Sequence, residues 1–242
     1  MSDPGVTIDV PFAVSDRAVV FPATETLVLA DVHLGRGASS CVDAPIDDGT
    51  DVIDRLERTL ATAEPETVVV AGDLLHSFSR IPRGVEDELS QLTAAVDRAG
   101  ASLVVTRGNH DTMLDSVFDG HRVEAYRLVD DTDETTVVCH GHERPAEDAD
   151  RYVIGHDHPA LSIDGHKRPC FLYGPDVHEG ADVLVLPAFT RLARGATVNG
   201  MDAADFQSPL ITDVDAFYPI VWDESSGESL WFPPLGDCRR LL

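Results

Sequence analysis

The sequence predicts an α/β fold, a sandwich of two sheets flanked by helices. Three observations carry this. Short apolar runs alternate with helical spacings up to residue 106, short strand-like runs between turns dominate after residue 120, and polar clusters close successive runs. With 242 residues the chain is long enough for one large domain with a proper core, and it reads as a single domain over 1–242.

LVLA (27–30) is a buried strand, followed by a Gly- and Ser-containing loop at 35–45. In DDGTDVIDRLERTLATA (47–63), Val52, Ile53, Leu56 and Leu60 recur at helical spacing behind an acidic start. TVVVA (67–71) is the next strand, GVEDELSQLTAAVDRAG (84–100) a second amphipathic helix stopped by Gly100, and SLVVT (102–106) a third strand. This β-α-β-α-β order implies a right-handed crossover sheet covered by helices. VEAYRLV, ETTVVCH, RYVIG, ALSI, CFLY and DVLVLPAF then follow as short strands between Gly, Pro and Asp turns, enough for a second sheet packed on the first.

Forty-three acidic residues oppose 18 basic ones, a formal charge of −25, and Lys167 is the sole lysine. Self-repulsion of that size weakens a compact fold at low salt. An acidic, nearly lysine-free composition resembles proteins of extreme halophiles, where molar salt shortens screening to about 3 Å. At low salt the charge argues against nucleic-acid substrates; at molar salt it excludes neither DNA nor RNA, although no basic stripe is visible. Asp47, Asp48 and the acidic run 130–134 read as solvated surface. Cys41, Cys139, Cys170 and Cys238 lack CxxC spacing and read as free thiols in a reducing compartment. MSDPGVTIDV lacks the charge and apolar pattern of a signal peptide, and no apolar run approaches the ~18–20 residues of a membrane span. A soluble, cytoplasmic protein with no membrane partner is expected; the oligomeric state is not legible.

The clusters at strand ends carry the chemistry. Asp31 and His33 follow LVLA, Asp73 follows TVVVA, and Asn109, His110 and Asp111 follow SLVVT. His140 and His142 close ETTVVC, and His156 and His158 close RYVIG. Sites in open α/β sheets form where such carboxyl ends converge. Asp31 to Asp73 is 42 residues, Asp73 to Asn109 is 36 and Asn109 to His140 is 31, each about one βαβ unit. The donor set is oxygen and imidazole nitrogen without thiolate, which suits Mn, Fe, Ni or Zn. Seven donors exceed the needs of one ion. Two ions ~3.5–4 Å apart would share a carboxylate, and Asp73, between the other clusters and behind Gly72, is the natural bridge.

D-x-H (Asp31, His33), G-D (Gly72, Asp73), G-N-H-D (Gly108 to Asp111), H-G-H (His140 to His142) and G-H-x-H (Gly155 to His158) resemble the five-motif signature of the calcineurin-like metallophosphoesterases. GHDHPA, KRPCFLYG and LPAFTRLARG further resemble the ICC-like branch with the DNA-ligase-associated phosphoesterases, so the motif core spans 27–200. The resemblance implies a four-layer α/β/β/α fold and two divalent ions, Mn²⁺ first among them. Asp31, His33 and His158 would hold one ion, Asn109, His140 and His156 the other, with Asp73 on both. It implies phosphoester hydrolysis by a metal-bridged hydroxide, on a diester in preference to a monoester. A nuclease acting on DNA or RNA and a phosphomonoesterase are the rival enzymes, and an inert scaffold of the same fold is the non-enzyme rival. The branch also implies association with DNA-repair proteins. His110 would be the non-ligand histidine that, when protonated, stabilises the transition state and the leaving oxygen. Asp111 would hold its imidazole.

Other polar residues near the motifs are open to two readings. Arg36, Arg107 and Arg144 fit phosphate clamps or balance for an acidic surface. His76 stands after G-D where many relatives have an acidic residue, and it fits a substrate contact or a structural role equally. His142 reads as a rim residue. Cys139 should face away from His140 by strand alternation. Asn199 approaches the site only by branch resemblance, and His121, His166 and His178 lie outside every motif.

Overall fold

Val68, Val69 and Val70 follow one another without a polar break because both faces of their strand are covered. In the computed structural model, which describes residues 8–37, 48–76, 81–129 and 134–239, Val68 and Val70 face one hydrophobic core and Val69 faces another. Residues 38–45 of the expected loop, Cys41, Asp47 and residues 130–133 of the acidic run lie outside the described residues.

The first sheet has six strands in chain order: β1 (Ala13–Ser15), β2 (Ala18–Phe21), β3 (Thr26–Leu29), β4 (Thr67–Ala71), β5 (Ser102–Thr106) and β6 (His121–Val123). From β3 to β6 neighbours run parallel, while β1 and β2 add an antiparallel edge. Helices α1 (Asp48–Ala63) and α2 (Val85–Arg98) supply the parallel crossovers, and their Val52, Leu56, Leu89 and Leu92 pack on Leu27, Leu29, Val68 and Val70. Gly100, at φ +78°, ends the second helical segment as expected.

The second sheet runs β16 (Glu228–Trp231), β15 (Tyr218–Asp223), β12 (Phe171–His178), β13 (Ala181–Val185), β9 (Arg151–Ile154), β8 (Thr136–Cys139) and β7 (Ala125–Leu128). Its Val138, Val153, Phe171 and Leu184 meet Val28, Val69 and Val104 of the first sheet in the central core. On its far side lie a three-stranded sheet, β11 (His166–Pro169), β10 (Pro159–Ile163) and β14 (Ala196–Thr197), several 3₁₀ turns and the short α3 (Leu235–Cys238). The expected two-sheet sandwich is therefore present, with a thinner outer layer here than on the α1–α2 side.

One expected strand is two. VEAYRLV splits at Glu124, so β6 ends the first sheet and β7 begins the second. Cys139 points into the outer core, away from the preceding and following strand positions, and Cys139, Cys170 and Cys238 are buried free thiols. Among the described residues no helix is long and apolar enough to cross a membrane.

Candidate metal centre

β3, β4 and β5 of one sheet and β8 and β9 of the other end at a common seam, so five polar clusters far apart in sequence meet there. All seven expected ligands and His110 are brought together. Asp31 Oδ1 lies 3.0 Å from His158 Nε2, which in turn lies 3.3 Å from His33 Nε2. His140 Nε2 lies 2.9 Å from Asn109 Oδ1 and 3.1 Å from His156 Nδ1. Asp73 stands between the two groups: Oδ2 is 3.8 Å from His33 Nε2, and Oδ1 is 3.4 Å from His140 Nε2.

The backbone aims these side chains through an uncommon conformation. Asp31, His33, Asp73, His156 and His158 all have positive φ, between 46° and 70°. Such left-handed residues are strained unless the surroundings hold them, and strain of this kind clusters at functional sites. Here the holding bonds are visible: His33 N donates to the Asp73 carbonyl at 2.9 Å, His156 N to Asp31 Oδ2 at 3.0 Å, and His110 N to Asp73 Oδ1 at 2.9 Å.

Glycine in these motifs makes room for a ligand from a different motif. A Cβ on Gly108 would sit 2.1 Å from Asp73 Oδ1, and one on Gly155 would sit 2.5 Å from Asp31 Oδ2. Gly108 is therefore required for close approach; the sharp turns with positive φ fall at Gly72 and the ligands themselves.

The donor chemistry fits divalent cations. His140 Nδ1 is 3.1 Å from the Ala71 carbonyl, which makes it the protonated nitrogen and leaves Nε2 with a lone pair. That lone pair faces the carbonyl oxygen of Asn109 at 2.9 Å, an approach of two acceptors that a cation between them would make favourable. Burial pushes the His33 imidazole down to about 2, and it pushes His140 and His156 down to about 4, so all three are neutral at pH 7 with lone pairs that a cation could take. Asp31, although burial acts to raise it, is held down at about 2 by His158, His140 and His33. Burial first, and then the Asp31 charge, push Asp73 up to about 9. Two buried carboxylates of which only one can ionise gain a second charge when a cation joins them.

His110 lies just outside both groups, its side chain 22% exposed and its Nε2 3.8 Å from Asp73 Oδ2. The His76 ring stacks on it at 5.5 Å and 12°, and the His76 backbone forms a hydrogen bond to the imidazole. Burial lowers the His110 pKa and lowers His76 to about 4, with Arg36 adding to both. His76 therefore packs directly on His110, and the Arg36 charge acts on both rings.

Asp111 has a structural task that its place in the motif did not announce. Its buried carboxylate accepts from the backbone N–H groups of Leu75 (2.9 Å), Gly108 (2.9 Å) and Leu74 (3.3 Å), clasping the Asp73 and Asn109 loops together. Both oxygens are engaged this way. Arg107 pairs with Asp115 at 2.6 Å and Glu124 at 3.3 Å, and Arg144 forms a two-point pair with Glu179. His142 lies 5.2 Å from His140, ring to ring, and lines a cavity of about 400 Å³ with both arginines. Asn199 exchanges two hydrogen bonds with the Ser162 backbone.

Sequence reasoning missed Arg55. It sits on the apolar stripe of α1, fully buried, and binds Asp16 Oδ2 at 2.8 Å and the Phe189 carbonyl at 2.7 Å. Its spacing from Val52 and Thr59 was the available signal. Through Phe189, whose N–H donates to the Ala30 carbonyl at 2.8 Å, Arg55 braces the loop that carries Asp31.

The His and Asp groups at the seam suit divalent metal ions, and the family to which the fold points implies a phosphoric ester hydrolase. Residues 25–185 match the Calcineurin-like phosphoesterase family model, and the chain belongs to that family. The crystal structure of the Pseudomonas putida nuclease MPE is similar at 22% identity, over 90% of this chain and 92% of that one, with a TM-score of 0.60. The E. coli phosphoesterase Yfce aligns at 13% identity over 82% of this chain and 88% of that one, with a TM-score of 0.43. Comparison with curated proteins gives no match.

Proposed function

We propose that this chain is a dinuclear phosphodiesterase. Asp31, His33 and His158 hold one ion, Asn109, His140 and His156 hold the other, and Asp73 contacts both. One observation carries the reading: lone-pair atoms from five strand ends converge in two groups, and the two oxygens of Asp73 face one group each. The oxygen and nitrogen donor set suits Mn, Fe, Ni or Zn, and the family resemblance puts Mn²⁺ first. Bound divalent ions supply Lewis-acid stabilisation of phosphoryl charge and a nucleophile at neutral pH.

The chain's own residues supply the rest. His110, partly exposed beside the ligands, is placed to give a proton from its imidazole to the leaving oxygen. Burial lowers its pKa and so favours the neutral ring at rest, whereas an anionic substrate against it favours the protonated form that donates. His76 fixes the ring by stacking and by its carbonyl, and Asp111 fixes the loop on which His110 stands. Preference for a diester is supported by the resemblance of GHDHPA, KRPCFLYG and LPAFTRLARG to the ICC-like branch. Arg107 and Arg144 are already balanced by carboxylates, leaving Arg36 as the guanidinium acting on His33, His76 and His110. An inert scaffold would lack ligands or His110, and all eight side chains are in place.

The test compares bis(p-nitrophenyl) phosphate with p-nitrophenyl phosphate, using Mn²⁺ and molar salt. Faster diester turnover is expected. Faster monoester turnover would overturn the diester preference, and turnover of neither would overturn the enzymatic reading.

A further inference from the structure

Asp157 stands between the ligands His156 and His158, and none of the chemistry above uses it. It is buried, and a buried carboxylate is costly unless both oxygens find donors. Here Oδ1 accepts from Gln207 N at 2.7 Å and Oδ2 from Ser208 N at 3.1 Å. Both donors lie beyond the 27–200 motif core, in a segment to which the motifs assign no role.

That segment is fixed by its own packing. Phe206, Leu210 and Ile211 lie in the outer core with Ile154, Leu161 and Phe217. Ser208 is buried, its Oγ accepts from Leu210 N at 3.4 Å, and its carbonyl accepts from Ile211 N at 3.3 Å. The two amides are thus presented to Asp157 by an anchored wall. The ligand loop, by contrast, is strained on either side of Asp157, with φ +70° at His156 and +46° at His158. His156 N is tied to Asp31 Oδ2 at 3.0 Å, and the His158 carbonyl to Ala196 N at 2.9 Å. Those bonds hold each ligand from its own side, and Asp157 holds the link between them. The two rings serve different groups: His156 Nδ1 lies 3.1 Å from His140 Nε2, and His158 Nε2 lies 3.0 Å from Asp31 Oδ1. A shift at Asp157 therefore displaces one ligand in each group.

We propose that Asp157 is a positioning residue for both halves of the centre, mooring the His156–His158 loop to the Gln207 and Ser208 amides. The segment 206–211 is then part of the centre's frame. The inference rests on the dinuclear reading and adds what keeps the two histidines in register.

The test compares Asp157→Ala, which removes both acceptors, with Asp157→Asn, which keeps one acceptor oxygen. The control is Asp182→Ala. It takes an acceptor from Tyr173 Oη (2.7 Å) and Arg151 (3.1 Å) where β9 and β13 begin, at the end of the sheet away from the ligands. Mn²⁺ affinity is measured by calorimetric titration, and hydrogen exchange of residues 155–158 is followed in metal-free protein. Asp157→Ala should bind Mn²⁺ about 10–100-fold more weakly, the range for outer supports of metal ligands, and should exchange faster at 155–158. Asp157→Asn should fall between it and wild type, and it carries the same comparison if Asp157→Ala does not fold. Asp182→Ala should lower the melting temperature and leave Mn²⁺ affinity in place. Wild-type affinity in the Asp157 variants, or an equal loss in Asp182→Ala, would overturn the assignment. Should the wild type take up no Mn²⁺, the dinuclear reading fails by itself. The mooring is then judged by exchange, where wild-type protection at 155–158 in the Asp157 variants would overturn it.

Discussion

Gly108→Ala probes the centre by a distance. An added Cβ would stand 2.1 Å from Asp73 Oδ1 and 2.3 Å from Asp73 N, whereas ordinary contact begins at 3.4 Å. The two loops must therefore separate by roughly 1.3 Å, and because one contact is to backbone, a rotamer change of Asp73 cannot relieve it. Overpacking of this kind costs about 1–3 kcal/mol, so the variant should fold with a lower melting temperature. Displacing a positioned reacting group by about 1 Å costs on the order of 10²-fold, and kcat/KM on bis(p-nitrophenyl) phosphate should fall by about that factor. Gly200→Ala, where a Cβ meets nothing within 4 Å, is the control and should change neither quantity. Activity of Gly108→Ala within threefold of wild type (roughly 0.6 kcal/mol) would refute the claim that the spacing between these loops sets the centre.

Asp111→Ala should cost about 3–5 kcal/mol in urea unfolding, because three backbone donors lose their acceptor, and Asp111→Asn should cost less because it keeps one acceptor oxygen. Equal stability of the two variants would contradict the clasp. His110→Asn should lower kcat by about 10²–10⁴-fold while elemental analysis shows metal content retained; loss of metal would make His110 a ligand instead of a proton donor. With a formal charge of −25, the melting temperature should rise as salt is added, and a curve indifferent to salt would remove the halophilic reading of the composition.

The central strands were legible because burial of both faces writes itself as a continuous apolar run, and α1 and α2 were legible through their stripes. The β1–β2 hairpin and the β15–β16 pair escaped because their runs are short and their outer members, β1 and β16, are sheet edges with partly exposed residues. The switch of sheets at Glu124 left no mark, since both short strands need the same kind of residue. At the site, ligand identity was written in the order and spacing of the motifs. The left-handed backbone at Asp31, His33, Asp73, His156 and His158 was not, because residue type gives no warning of φ where glycine is absent. The clasp at Asp111 was hidden for a related reason: its partners are backbone amides, which every sequence contains.

Metal stoichiometry tests the central claim most directly. Wild-type protein dialysed against Mn²⁺ and analysed by mass spectrometry of the elements should carry two ions per chain, and Asp73→Asn, which removes the shared carboxylate charge, should carry fewer. A wild-type stoichiometry of one or none, or an Asp73→Asn variant that keeps both ions, would contradict a paired centre built around Asp73.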